Sequence, residues 1–123
     1  MERLTQKEEG IMQILWKLKK AFVKDIIEQM SGPAPPYNTV SSLVRVLEKK
    51  GFVGHKAYGN THEYFPLVKQ EDYLKTTMKG LLSGYFNNSY ESMVSFMVKE
   101  ENLSEEEIKR LQDIIDQNTK SKD

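Results

Sequence analysis

Asn38, Ser41, Ser42 and Arg45 follow one another at intervals of three, one and three residues. Those steps bring side chains onto one stripe of an α-helix. Three of the four are short and both donate and accept hydrogen bonds. The fourth is a long cation with a planar fork of donors. Short side chains let another surface come close, and an Arg among them suits the base edges and phosphates of a DNA major groove. The chemistry offered by this stripe is hydrogen-bond readout rather than bond making.

The helix that must carry the stripe is YNTVSSLVRVLEKKG, Tyr37 to Gly51. Val40, Leu43, Val44 and Leu47 fall at i, i+3, i+4 and i+7 and make its buried face. Pro33, Pro35 and Pro36 forbid helix upstream. Gly51 is a natural stop, and Lys49 and Lys50 lie in the last turn, where cations suit the helix dipole. Two elements should precede it. Thr5 and Glu8 form a capping box, and Ile11, Leu15 and Leu18, flanked by Met12, Ile14 and Trp16, continue a helix to about Lys19. Ala21–Val23 suits a brief edge strand, and Lys24 to Met30 a second, shorter helix stopped by Ser31-Gly32-Pro33. Two short helices with a polar face on the second make a helix-turn-helix, here with a long turn, SGPAPPY.

After Gly51 the period changes to extended. FVGHKAY and THEYFPL are β-prone runs around Gly59-Asn60, a dipeptide that suits a tight hairpin. A two-residue loop sets Lys56 opposite Glu63 and Tyr58 opposite Thr61. Three helices and a hairpin make a winged helix. Its exposed tip offers Lys56, Tyr58 and Asn60 to a DNA backbone. His55 and His62 share one hairpin face. Two imidazoles with no Cys or carboxylate on that face make a poor metal site, so hydrogen bonding within the wing is the reading, with no metal and no cofactor expected.

The rest of the chain is helical: Gln70 to about Tyr85, Tyr90 to Glu100, and a helix capped by Ser104 and Glu107 that reaches about Gln117, leaving a frayed tail. Leu81, Leu82, Met93, Phe96, Met97, Ile108, Leu111 and Ile115 lie on its apolar stripes. Three short amphipathic helices without a sheet form a marginal unit alone, so these residues are expected to join two chains. The expected fold class is mostly α with a small β-hairpin wing. A winged helix-turn-helix in residues 1–68 precedes a helical dimerisation region in residues 69–123.

The bulk properties agree. The 123 residues carry no net charge, but residues 1–62 hold 10 Lys and Arg against 6 Asp and Glu, and residues 63–123 hold 8 against 12. A basic half can supply phosphate contacts. The absence of cysteine excludes disulfides, thiol catalysis and thiolate metal sites. No apolar run is long enough to span a membrane and no signal peptide is evident, so a cytoplasmic protein without membrane insertion is expected.

In LTQKEEGIMQILW, YNTVSSLVRVLEKKGFV, HEYFPLV and KEENLSEEEIKRL, in that order, the chain resembles the penicillinase and methicillin-resistance repressors, the BlaI, MecI and CopY type. The resemblance covers nearly the whole chain. It implies a winged helix followed by dimerisation helices, and a homodimer on a palindromic double-stranded DNA operator that represses transcription. It places base contacts at the start of the third helix, here Asn38, Thr39, Ser41 and Ser42. It also implies release by cleavage or loosening of the C-terminal helices, with a sensor or transducer protease as a further partner. Two features depart from the family. The bond matching the family's Asn-Phe cleavage site is Phe96-Met97, and the cysteine motif of the copper-responsive branch is missing. The rival reading is a winged-helix module that binds protein instead of DNA. Such a module would tolerate acidic residues at positions 38–45, where this chain has none. An enzyme is not expected, since no nucleophile–base pair, phosphate loop or metal cluster is evident.

Overall fold

A computed structural model describes residues 1–120. The elements run α1 (Gln6–Leu18), β1 (Ala21–Phe22), α2 (Val23–Glu28), α3 (Tyr37–Lys49), β2 (Val53–Tyr58), β3 (Thr61–Pro66), α4 (Gln70–Tyr85), α5 (Tyr90–Glu100) and α6 (Glu105–Lys120). The fold is mostly helical with one three-stranded antiparallel sheet of order β1-β3-β2. The expected frayed tail falls partly in α6, which runs to Lys120, and otherwise outside the described residues.

The helix ends follow local chemistry. At α1, the Glu8 backbone N–H donates to Thr5 Oγ1 (3.2 Å), and the Thr5 N–H donates to Glu8 Oε1 (2.8 Å). Helix α2 begins one residue earlier than the sequence suggests. The Phe22 N–H donates to Asp25 Oδ2 at 3.0 Å, so the chain passes from β1 into the helix without a linker. Helix α3 closes through Gly51, which takes φ +85°. The Gly51 N–H donates to the Glu48 carbonyl and the Phe52 N–H to that of Leu47, and Phe52 is buried beneath them. At α6 the Glu107 N–H donates to Ser104 Oγ, but the Glu107 carboxylate turns to the Ser104 hydroxyl, so only half of the capping box forms.

The described chain falls into two compact units that divide inside α4, Met1–Thr77 and a second from Met78. In the first, Ile11, Met12, Leu15, Ile26, Val40, Val44, Leu47, Phe52 and Val53 are fully buried side chains around which α1, α2, α3 and the sheet pack. The opening turns of α4 belong to this core. Tyr73 packs on Trp16 and edge-on to Phe52. Its hydroxyl accepts from the Leu4 N–H and donates to Glu9. The Trp16 indole N–H donates to the Val68 carbonyl at 2.8 Å. In the second unit Leu82 is the one buried apolar side chain among the described residues.

The long-range clamp of the first unit is ionic. Lys50 Nζ lies 3.0 and 2.9 Å from the two oxygens of Glu8, which is buried. Burial alone would push the Glu8 carboxyl up. The Thr5 N–H and the Lys50 ammonium outweigh it and hold the group below its ordinary value of 4.5. A carboxyl held down in the folded state stabilises the fold above its unfolded value, and that contribution is lost as pH falls through the lower folded value. Glu8→Gln is therefore expected to lower stability at pH 7 by roughly 1–3 kcal/mol and to flatten the acid-side loss below pH 4.5. Denaturant titrations from neutral to acid pH check both effects. An unchanged acid limb would remove Glu8 as its cause.

Candidate nucleic-acid interface

Helix α3 buries Val40, Val44 and Leu47 and half-buries Leu43, so its other side must face out. Asn38, Ser42 and Arg45 are exposed there and Ser41 is half-buried. Arg45 Nε lies 3.4 Å from the Ser41 carbonyl, which lays the guanidinium along the helix surface. Thr39 is exposed at the edge of this stripe, where it lines a groove with Lys7, Met30 and Pro35.

The hairpin fixes the second wall. Its register pairs Lys56 with Glu63 and Tyr58 with Thr61, as a two-residue loop requires. Gly59 opens that loop at φ +63°. Because strand side chains alternate, Val53, His55, Ala57, His62 and Tyr64 share one sheet face, and Gly54, Lys56, Tyr58, Thr61, Glu63 and Phe65 share the other. The first face meets α3. Tyr37, Ser41 and Arg45 line a groove of about 270 Å³ with Asn60, His62 and Tyr64. An adjoining groove of about 290 Å³ is walled by Phe22, Val23, Lys24, Tyr37, Thr61 and His62.

The expected residues therefore separate. Ser41, Arg45 and Asn60 come together on one groove, and Asn38 and Ser42 continue the same α3 stripe. Lys56 and Tyr58 lie on the far face of the sheet. There the Lys56 ammonium sits 5.2 Å from the centre of the Tyr58 ring, and Tyr58 leans on Phe22 at 5.8 Å. Lys24 and Tyr37 carry no sequence signal for the groove, and His62, read from sequence as a hydrogen-bonding group of the wing, joins them there. The hairpin register already put His62 with His55 on one face. What sequence lacked was which face turns toward α3. A carboxylate missing from the hairpin arrives from that helix, where Glu48 accepts from His55 Nδ1–H. Among the described residues no group of three His, Cys, Asp or Glu could hold a metal ion.

In the second unit, the expected pairing residues are mostly open to solvent. Phe96 is 53% exposed and Ile115 58%, Leu81 and Met97 are also exposed, and Met93, Ile108 and Leu111 are half-buried. Leu82 differs, since its own chain already covers it. Tyr85, Tyr90, Val94 and Ile114 extend the exposed apolar surface. No helix among the described residues is long and apolar enough to cross a membrane.

The sequence profile of the penicillinase repressor family matches residues 4–117. The methicillin resistance regulatory protein MecI of Mammaliicoccus sciuri is 32% identical over 114 residues, covering 91% of this chain and 92% of its own. The penicillinase repressor of Bacillus licheniformis is 25% identical over 121 residues, 98% of this chain and 94% of its own. Among solved structures, the solution structure of the DNA-binding domain of the repressor BlaI superposes with a TM-score of 0.51 at 23% identity, covering 59% of this chain and 94% of that domain. A chain from the complex structure of hsRosR-S4 gives 0.57 at 14% identity, covering 99% of this chain and 95% of its own. At these identities the two structures speak for the fold alone.

Proposed function

The chain belongs to the penicillinase repressor family, and from that premise we propose that it is a homodimeric repressor that binds a palindromic DNA operator. The observation that carries the reading is the outward stripe of α3. Asn38, Ser41, Ser42 and Arg45 are short or forked hydrogen-bonding groups over a buried apolar face, with no acid among residues 38–45. Together with Thr39 at its edge, the stripe enters the major groove and reads base edges. Asn60, Lys56 and Tyr58 on the wing follow the sugar-phosphate backbone, and Lys24 joins them from the groove wall. The winged-helix region, residues 1–68, supplies these contacts, and residues 69–123 pair two chains through Leu81, Met93, Phe96, Met97, Ile108, Leu111 and Ile115, with Leu82 packed inside its own chain. Isologous pairing sets two α3 helices toward two half-sites about one DNA turn apart or a multiple of it. Cutting or loosening the C-terminal helices, near Phe96-Met97 or elsewhere, then releases the operator, and a sensor or transducer protease is the partner that would do so.

Selection of bound duplexes from a random pool tests the reading. An enriched palindrome is the expected result. A pool that stays random would leave a protein-binding winged helix as the better account. On the selected duplex, Lys24→Ala and Lys56→Ala are each expected to weaken binding on all sequences. Each should reduce the slope of log K against log salt by about one per half-site, about two for the dimer on its operator. A variant with an unchanged slope takes its lysine out of the interface.

A further inference from the structure

The two histidines of the wing are stacked, their ring centres 4.1 Å apart and their planes 7° from parallel. They are not equivalent. His55 is backed by α3, with its Nδ1–H on the Glu48 carboxylate. His62 is the front ring and lines both grooves between α3 and the wing. Resting on the DNA reading proposed above, we infer that His62 contacts a phosphate of the duplex and takes up a proton when that phosphate enters the groove.

The surrounding charges set the direction. Lys24 and Arg45 line the grooves beside His62, so a phosphate entering there meets cations as well as the ring. Behind it, Glu48 is engaged by His55. The remaining titratable neighbours are the phenols of Tyr37 and Tyr64, and burial pushes that of Tyr64 up, so it stays neutral. Glu63 and Lys56 lie on the opposite sheet face and do not face His62. A phosphate entering the groove offsets Lys24 and Arg45 and gives the imidazolium an acceptor. Imidazole is the side chain whose charge changes between about pH 5 and 8. The stack on His55 holds the ring plane, so the N–H direction is set before the duplex arrives.

The linkage has a definite sign. If the bound protein carries more protons than the free protein, affinity rises as pH falls. The limit is about tenfold per pH unit for one proton per protomer, by the same proton-counting that governs stability. The test is calorimetry of the full chain with a mixed-sequence duplex, in two buffers of different ionisation heat, over about pH 6 to 8 where imidazole titrates. The expected result is proton uptake in the native chain and none in His62→Gln, which should lose up to about tenfold in affinity at the acid end. His62→Lys, a permanent cation, should keep the acid-end affinity and lose its pH dependence. No uptake in the native chain, or uptake that survives in either variant, overturns the inference while DNA binding stands. A duplex that is not bound at any pH overturns the DNA reading and this inference with it.

Discussion

A chain ended at Thr77 is expected to fold, to sediment as a monomer and to bind an operator duplex roughly 10²–10⁴-fold more weakly than the whole protein. Folding is expected because the first compact unit closes at Thr77. Its core then keeps Tyr73 against Trp16 and Phe52. The monomer follows if the exposed Phe96, Met97 and Ile115 form the joint between chains. The loss of affinity is the loss of the second half-site, which a linked partner meets at high effective concentration and a free monomer does not. The cut must not be made at Pro66. That end removes the Val68 carbonyl from Trp16 and Tyr73 from the core, and loss of a buried aromatic ring costs about 3–5 kcal/mol. Sedimentation, far-UV dichroism and gel shifts on one set of samples separate weak binding from unfolding. A folded monomer that binds as tightly as the whole chain would mean that residues beyond Thr77 do not build the dimer.

Arg45→Ala carries the next largest effect. Arg45 is exposed on the outward stripe of α3 and lines the wing groove with Ser41 and Asn60. If its guanidinium reaches a base edge, the substitution should cost about 1–3 kcal/mol per half-site on the operator and much less on scrambled DNA. Equal losses on both would assign Arg45 to phosphate. Stability should be unaffected, since its hydrogen bond is to the Ser41 carbonyl at the surface. Paired titrations on the two duplexes give the ratio, and no loss on either takes Arg45 out of the interface.

What could be read from sequence was what local chemistry decides. The i, i+3, i+4, i+7 run of Val40, Leu43, Val44 and Leu47 fixed the buried side of α3, and Gly51 fixed its end. Gly59-Asn60 set the hairpin register through Lys56–Glu63 and Tyr58–Thr61. What escaped depends on residues far apart in the chain. Lys50 reads as a cation on a helix dipole, yet its ammonium crosses 42 positions to Glu8. Tyr73 reads as one apolar position of an outlying helix, yet it bonds to Leu4 across 69 residues. The groove membership of His62, Tyr37 and Lys24 follows from which sheet face α3 covers. Alternation in the strands defines two faces and does not choose between them.

The central claim is that two chains read one palindrome. Sedimentation of the full chain on the selected duplex, beside the same duplex with one half-site scrambled, tests it most directly. The account predicts two chains on the intact duplex, and on the scrambled one a loss of affinity together with a shallower fall of log K against log salt, as the phosphate contacts of a half-site are withdrawn. One chain per intact duplex, or equal affinity for the two duplexes, would contradict it.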